Sequence, residues 1–158
     1  MRKELDEKLC AEYPLIFRDR HGDMSKTCMV WGFDCGDGWY NIIDAMCANI
    51  QCHIDNRLEN IKWAEKWNAI VNDPDHEWTA IVERKEREVP EPVEQVVAIQ
   101  VKEKFGTLRF YFGGGDAYTD GIVSMAESMS GRTCEVCGVP GTGTKGGWIR
   151  TLCEEHAN

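Results

Sequence analysis

Four residues combine the types and the spacing for metal ligation. Cys134 and Cys137 enclose two residues, fifteen residues follow, and Cys153 and His156 enclose two more. Three thiolates and one imidazole in two such knuckles form a tetrahedral zinc set, and Gly138 directly after the first pair permits a tight turn. A zinc closed by four protein ligands has no open position for chemistry, so the expected role is structural. It would fold a small lobe, to which ligation can contribute about 10–16 kcal/mol.

A second group could hold an anion. Lys102, Lys104 and Arg109 alternate along two short strands that also carry Tyr111, so the four side chains share one face, with charge for a phosphate and a ring for a base. The Gly113–Gly115 run then leads into a helix whose first amides also favour anions, although Asp116 and Asp120 lie there too. The same residues are equally the expected polar exterior of an antiparallel sheet. No GxGxxG or Walker-type lysine accompanies them.

Catalytic spacing is missing elsewhere. His21 with Asp23, Cys52 with His53, His76 between Asp75 and Glu77, and the aspartates at 34, 37 and 44 supply the residue types without pairing a nucleophile with a base. Helix neighbours point about 100° apart, so Cys52 and His53 do not form a dyad. Cys28, Cys35 and His21 lack paired-ligand spacing and leave a second metal site open.

Two kinds of periodicity position these residues. Trp39, Ile42, Ile43, Met46, Cys47, Ile50, Ile54, Leu58 and Ile61 recur every three or four positions and predict an amphipathic core helix, and Trp63, Trp67, Ile70 and Val71 prolong the pattern, as one long helix or as a second after a break, until Asn72-Asp73-Pro74-Asp75. Asp37 is a candidate cap for it. From Val96 the period becomes two: Val97, Ile99 and Val101 share a face, and after a turn at Phe105-Gly106 so do Leu108, Phe110 and Phe112. A further helix capped near Thr119 or Asp120 should turn Ile122, Val123, Met125, Ala126 and Met129 inward. Short elements complete the outline: an N-terminal helix stopped by Pro14, a strand at Met29–Phe33, a charge-rich excursion or linker at 75–94 in which Trp78, Ile81 and Val82 could pack a short helix, and a strand at Trp148–Leu152. The expected fold is α+β, a long core helix on an antiparallel hairpin or sheet, with a zinc-ribbon or treble-clef-like lobe at 132–158. The core is 1–131, with a charged insertion at about 73–94.

The formal net charge is −9 over 158 residues, −7 in residues 1–93 and −2 in residues 94–158. That balance opposes extended nucleic acid, whose phosphates need a basic surface, and the lobe offers only Arg132, Lys145 and Arg150. No apolar run is long enough to cross a membrane, and the charged start Met1–Lys8 lacks the pattern of an export signal. A cytoplasmic location is therefore expected, with the eight cysteines divided into three ligands and five reduced thiols.

The stretches Arg20–Asp23, Trp31–Tyr40, Lys104–Tyr111 and Gly147–Cys153 resemble small, mostly uncharacterised proteins of bacteriophages and prophages. The resemblance implies a stoichiometric accessory role in a bacterial host, in which the chain binds and inhibits or redirects a host protein, including one of antiviral defence. Exposed Trp63, Trp67 or Trp78 would serve such binding. Two other classes stay open, a sponge for a nucleotide-like signalling molecule and a phosphoesterase or nuclease using the aspartates. Homo-oligomerisation is open as well.

Overall fold

Between positions 40 and 72 the chain contains neither glycine nor proline, and nothing in it interrupts a helix. A computed structural model, which describes residues 1–77, 85–144 and 147–157, forms one continuous α-helix there. In chain order the elements are α1 (Lys3–Glu12), a 3-10 turn (Met29–Trp31), β1 (Phe33–Asp34), a second 3-10 turn (Asp37–Trp39), α2 (Tyr40–Asn72), β2 (Val97–Lys104), β3 (Thr107–Gly113), α3 (Ala117–Ser130), β4 (Thr142–Gly143) and β5 (Thr151–Leu152). The fold is α+β, with a long helix and a small mixed sheet. Among the described residues no helix is long and apolar enough to cross a membrane. Trp78, Ile81, Val82 and Lys145 lie outside the described residues.

At 33 residues, α2 is about 50 Å long. Its first half is core: Ile43, Met46, Cys47, Ile50 and Ile54 bury against Val101, Leu108 and Phe110 of the sheet and against Ile122, Val123 and Ala126 of α3. The apolar periodicity continues past Ile54, but the core does not. Leu58 and Trp63 are exposed because the sheet and α3 no longer flank the helix there. Instead Trp63 stacks on Trp67, the Arg87 guanidinium lies 3.8 Å from the Trp63 ring centre, and Asn68 exchanges two hydrogen bonds with the Arg87 backbone.

The sheet order is β1-β2-β3, antiparallel between β2 and β3 but parallel between β1 and β2, where Phe33 pairs with Val101 and Asp34 with Lys102. The expected strand at Met29–Phe33 is thus mostly a 3-10 turn, and it leaves Trp31 exposed. Alternation also fails once. A bulge between Ala98 and Gln100 sends Ile99 outward and puts Ala98 in the core. The bulge frees the Ile99 carbonyl to accept from Cys28 N–H and from the Thr27 hydroxyl, anchoring the turn before β1.

The outer edge of β3 is closed by α3. Leu108 N–H donates to Ser130 Oγ at 2.8 Å and Phe110 N–H to Glu127 Oε1 at 3.0 Å, so two of the amides that face away from β2 are satisfied by α3 side chains. The cap of α3 is Asp116, earlier than the expected Thr119 or Asp120; its carboxylate accepts from Tyr118 and Thr119 N–H, while Thr119 Oγ1 accepts from Asp116 N–H. Its inward face is Thr119, Ile122, Val123, Ala126 and Ser130, which leaves Met125 and Met129 largely exposed, against expectation. Asp37, expected to cap α2, instead accepts from the Arg2 backbone and side chain.

Candidate metal centre and the aromatic tip beside it

The sulfur and nitrogen atoms of Cys134, Cys137, Cys153 and His156 all lie within 4.8 Å of one another. Cys137 Sγ and Cys153 Sγ are 3.7 Å apart, too far for a disulfide and close to the roughly 3.8 Å edge of a tetrahedron with metal–sulfur bonds of about 2.3 Å. His156 presents Nδ1, 3.6 Å from Cys134 Sγ and 3.1 Å from Cys153 Sγ. Burial opposes ionisation of Cys134, but backbone N–H groups of Cys137, Cys153 and Val136 directed at its sulfur more than offset this and bring the thiol down to about 6. At Cys137 the Val139 N–H favours the thiolate, yet desolvation and the crowding of Cys134 and Cys153 outweigh it and hold the thiol above its ordinary value. A divalent cation resolves that crowding, since its charge favours every thiolate at once. The cluster is compatible with a structural metal site.

The lobe is seated on the core by three hydrogen bonds from the Gly36–Trp39 turn. Gly38 N–H donates to Glu135 O at 2.8 Å, Gly36 N–H to Glu135 Oε1 at 3.1 Å, and the Trp39 indole N–H to Thr133 O at 2.8 Å. Glycine is required at this contact: a Cβ on Gly36 would lie 2.2 Å from Glu135 O, and one on Gly38 would lie 2.2 Å from Cys134 O. The largely buried Glu135 carboxylate also receives Arg150 Nε at 3.2 Å, which ties the knuckle to the strap that leads into β5.

The same strap meets the tip of the β2–β3 hairpin. Thr151 Oγ1 donates to Gly106 O at 2.6 Å, and a Cβ on Gly106 would lie 3.2 Å from Ile149. Only Phe105 and Gly106 form the loop, at φ 54° and 78°. Two positive values match a type I′ turn, whose first position normally takes asparagine, aspartate or glycine. Phenylalanine stands there instead, with its ring 70% exposed, beside Trp148 at 78% and Ile149 at 45%. The three line a cavity of about 380 Å³ with Lys104, whose ammonium lies 5.5 Å from the Phe105 ring centre. The expected strand at Trp148–Leu152 is reduced to Thr151–Leu152, which leaves Trp148 free of the sheet.

The anion candidates share a face, as alternation requires. Lys102 pairs with Arg109 across the strands, Gln100 with Tyr111, and the Lys102 ammonium lies 5.5 Å from the Tyr111 ring centre. Acids bracket this row, a feature that sequence reading missed. Asp34 is the registered neighbour of Lys102 on β1, and Glu127 lies 3.6 Å from Arg109, whose guanidinium also donates to Leu108 O. The amides at the α3 N-terminus are occupied by Asp116.

The remaining candidates go to separate places. Asp37 binds Arg2, Asp44 accepts from the Tyr13 hydroxyl at 2.7 Å, and Asp34 flanks Lys102. His53 Nε2 lies 2.9 Å from Asp116 Oδ2 with its ring stacked near Tyr118, which links α2 to α3. Arg20 forks onto the buried Asp6 at 2.9 and 3.0 Å, a pair of charges that no periodicity announces. Among the described residues Cys28, Cys35 and His21 do not converge, and no second metal cluster forms.

Compared with known proteins, the chain matches no family model, no curated protein and no solved structure.

Proposed function

We propose that this chain is a zinc-stapled binding protein without turnover of its own, which engages another protein through the aromatic tip formed by Phe105, Trp148 and Ile149. The observation that carries the reading is Phe105 itself. An L-residue in the left-handed region costs about 1–2 kcal/mol, which asparagine or glycine would largely avoid, and a ring left 70% exposed contributes at most about as much to the fold as that strain costs. An exposed aromatic that its own fold does not use is characteristic of an interface anchor. The ligand set of three sulfurs and one imidazole favours zinc, held in a ribbon- or treble-clef-like lobe whose work is to fix Trp148 beside the hairpin. The acidic surface suits a basic partner, and a bacterial host protein, including one of antiviral defence, is the kind of target that the resemblance to phage accessory proteins implies.

The test is quantitative capture with zinc-loaded protein, comparing wild type with Phe105→Asn and Trp148→Ala. A specific protein retained by the wild type and lost by both variants, then titrating to a stoichiometric endpoint, is the expected result. No differential retention, or conversion of a substrate in large molar excess, would overturn the reading. Metal analysis accompanies it, with one zinc per chain expected and near-zero metal in freshly purified, chelator-free protein as the contrary result. Capture of a nucleotide-like anion on Lys102, Lys104, Arg109 and Tyr111 is a second reading, favoured by the Lys102–Tyr111 contact and opposed by Asp34 and Glu127. A thermal shift with cyclic nucleotides, abolished by Lys102→Ala, would favour it over the first.

A further inference from the structure

Of the three sulfurs in the Cys/His cluster, two are within reach of solvent and one is not. Cys137 is exposed and Cys153 partly so, whereas Cys134 is fully buried. Cys137 and Cys153 also line one cavity of about 550 Å³, whose walls include Val139, Thr142 and Leu152. The cavity thus gives access to a single edge of the ligand set, along which the two sulfurs are 3.7 Å apart.

We propose that Cys137 and Cys153 form an oxidation site, which a neutral hydroperoxide converts to a disulfide, and that the pair thereby gives up its metal. The inference rests on the zinc ligation proposed above and adds a control over it. The exposed Cys137 thiolate attacks one peroxide oxygen; the O–O bond breaks, an S–O bond forms, and hydroxide leaves. The Cys153 thiolate then attacks the Cys137 sulfur, forming S–S and breaking S–O, and a second hydroxide leaves. Two electrons have passed from the sulfurs to the peroxide, and two protons from solvent complete two waters. Closing the bond draws the sulfurs from 3.7 Å to about 2.05 Å. Only Cys134 and His156 then remain as ligands, too few for a closed tetrahedral set. Cys153 directly follows β5, whose Thr151 hydroxyl binds Gly106 O, so the pull acts on the strap that places Trp148 beside Phe105.

Charge selects the oxidant. Glu154 and Glu155 stand in the cavity wall of a chain of net −9 and oppose anionic reactants, whereas a small uncharged peroxide meets no such barrier.

The test uses zinc-loaded Cys28→Ser/Cys52→Ser protein, which lacks the other exposed thiols, titrated with hydrogen peroxide while a chromogenic chelator reads free zinc. Release of about one zinc per peroxide consumed is expected, with a Cys137–Cys153 disulfide in the peptide map, Cys134 alkylatable after denaturation, and recovery of zinc binding after dithiothreitol. The cationic disulfide cystamine should release zinc at least about tenfold faster than anionic glutathione disulfide, and Glu155→Gln should narrow that ratio. Zinc retained in excess peroxide, a disulfide that includes Cys134, or a ratio that Glu155→Gln leaves unchanged would overturn the proposal. A purified chain without zinc would count against the ligation itself. Mapping the oxidised metal-free chain would then still decide: Cys137 joined to Cys153 supports this site, and any other product overturns it.

Discussion

Phe105→Asn separates what the hairpin needs from what the surface offers. With the ring 70% exposed, about 30% of a side chain of roughly 200 Å² is withdrawn from water, worth at most about 1.5 kcal/mol at 25 cal/mol per Å². The exposed contact with the Lys104 ammonium adds about 0.5 kcal/mol. Asparagine at φ 54° returns about 1 kcal/mol of left-handed strain, so the net loss should not exceed about 1 kcal/mol. Phe105→Ala loses the same ring without relieving the strain and should fall about 1 kcal/mol below the asparagine variant. Urea titration of the zinc-loaded proteins reads these differences from midpoints at constant slope. Binding should respond on another scale: loss of an anchor in a partner pocket costs about 2 kcal/mol or more, a factor of roughly 30 in affinity. A destabilisation above about 2 kcal/mol would show that the ring serves the fold. Wild-type affinity in a stably folded Phe105→Asn would refute the argument at its functional end.

Three further outcomes follow from the geometry. Gly38→Ala places a methyl group 2.2 Å from Cys134 O and must move the knuckle off its seat, so a loss of more than about 2 kcal/mol and a displaced Trp39 indole N–H resonance are expected, with wild-type stability as the contrary result. Alkylation of the native zinc-loaded chain should label the exposed Cys28 and Cys52 first; burial pushes the Cys10 and Cys35 thiols up to about 12 and raises Cys47 further, so rapid native labelling of these three would contradict the packing. The hydrogen bond from His53 lowers the Asp116 carboxyl, so its stabilisation is complete above the ordinary carboxylate range and is lost as the pH falls through the depressed value. Asp116→Asn, which keeps a capping side chain, should therefore be less stable than wild type near neutrality and equal to it in strong acid, and a gap unchanged with pH would exclude the charge as its source.

The parts legible in the sequence are those whose determinants lie close together in the chain. The four ligands are set by two local knuckles, and the core half of α2 by periodicity from Ile42 to Ile54. What escaped depended on distant partners. The parallel pairing of Phe33 with Val101 brings together segments that no local pattern connects, and the bulge at Ile99 exists because Cys28 and Thr27 use its carbonyl. Leu58 and Trp63 continue the apolar period past Ile54, yet both are exposed, because the core of the described residues ends there. The glycines at 36 and 38 read as turn formers, whereas their decisive property is the room they leave for Cys134 and Glu135. The aromatic tip was hidden for a related reason, since Phe105 and Trp148 meet only after the lobe docks.

That separation between near and distant partners also sets an order of assembly. The β2–β3 hairpin and the helix that seals its edge lie within residues 97–130, and they close short loops at small entropic cost. By contrast, β1 must find β2 across the span from position 33 to position 101. Locally connected units form earlier on the way to the native state, so the hairpin with α3 belongs to the folding nucleus, and β1 with the Gly36–Trp39 turn joins it late. The seat of the lobe that carries the Cys/His cluster lies on that late segment. Its bonds from Gly36 and Gly38 to Glu135 span still more of the chain than the pairing of β1 with β2, so docking of the lobe belongs with the last contacts to close.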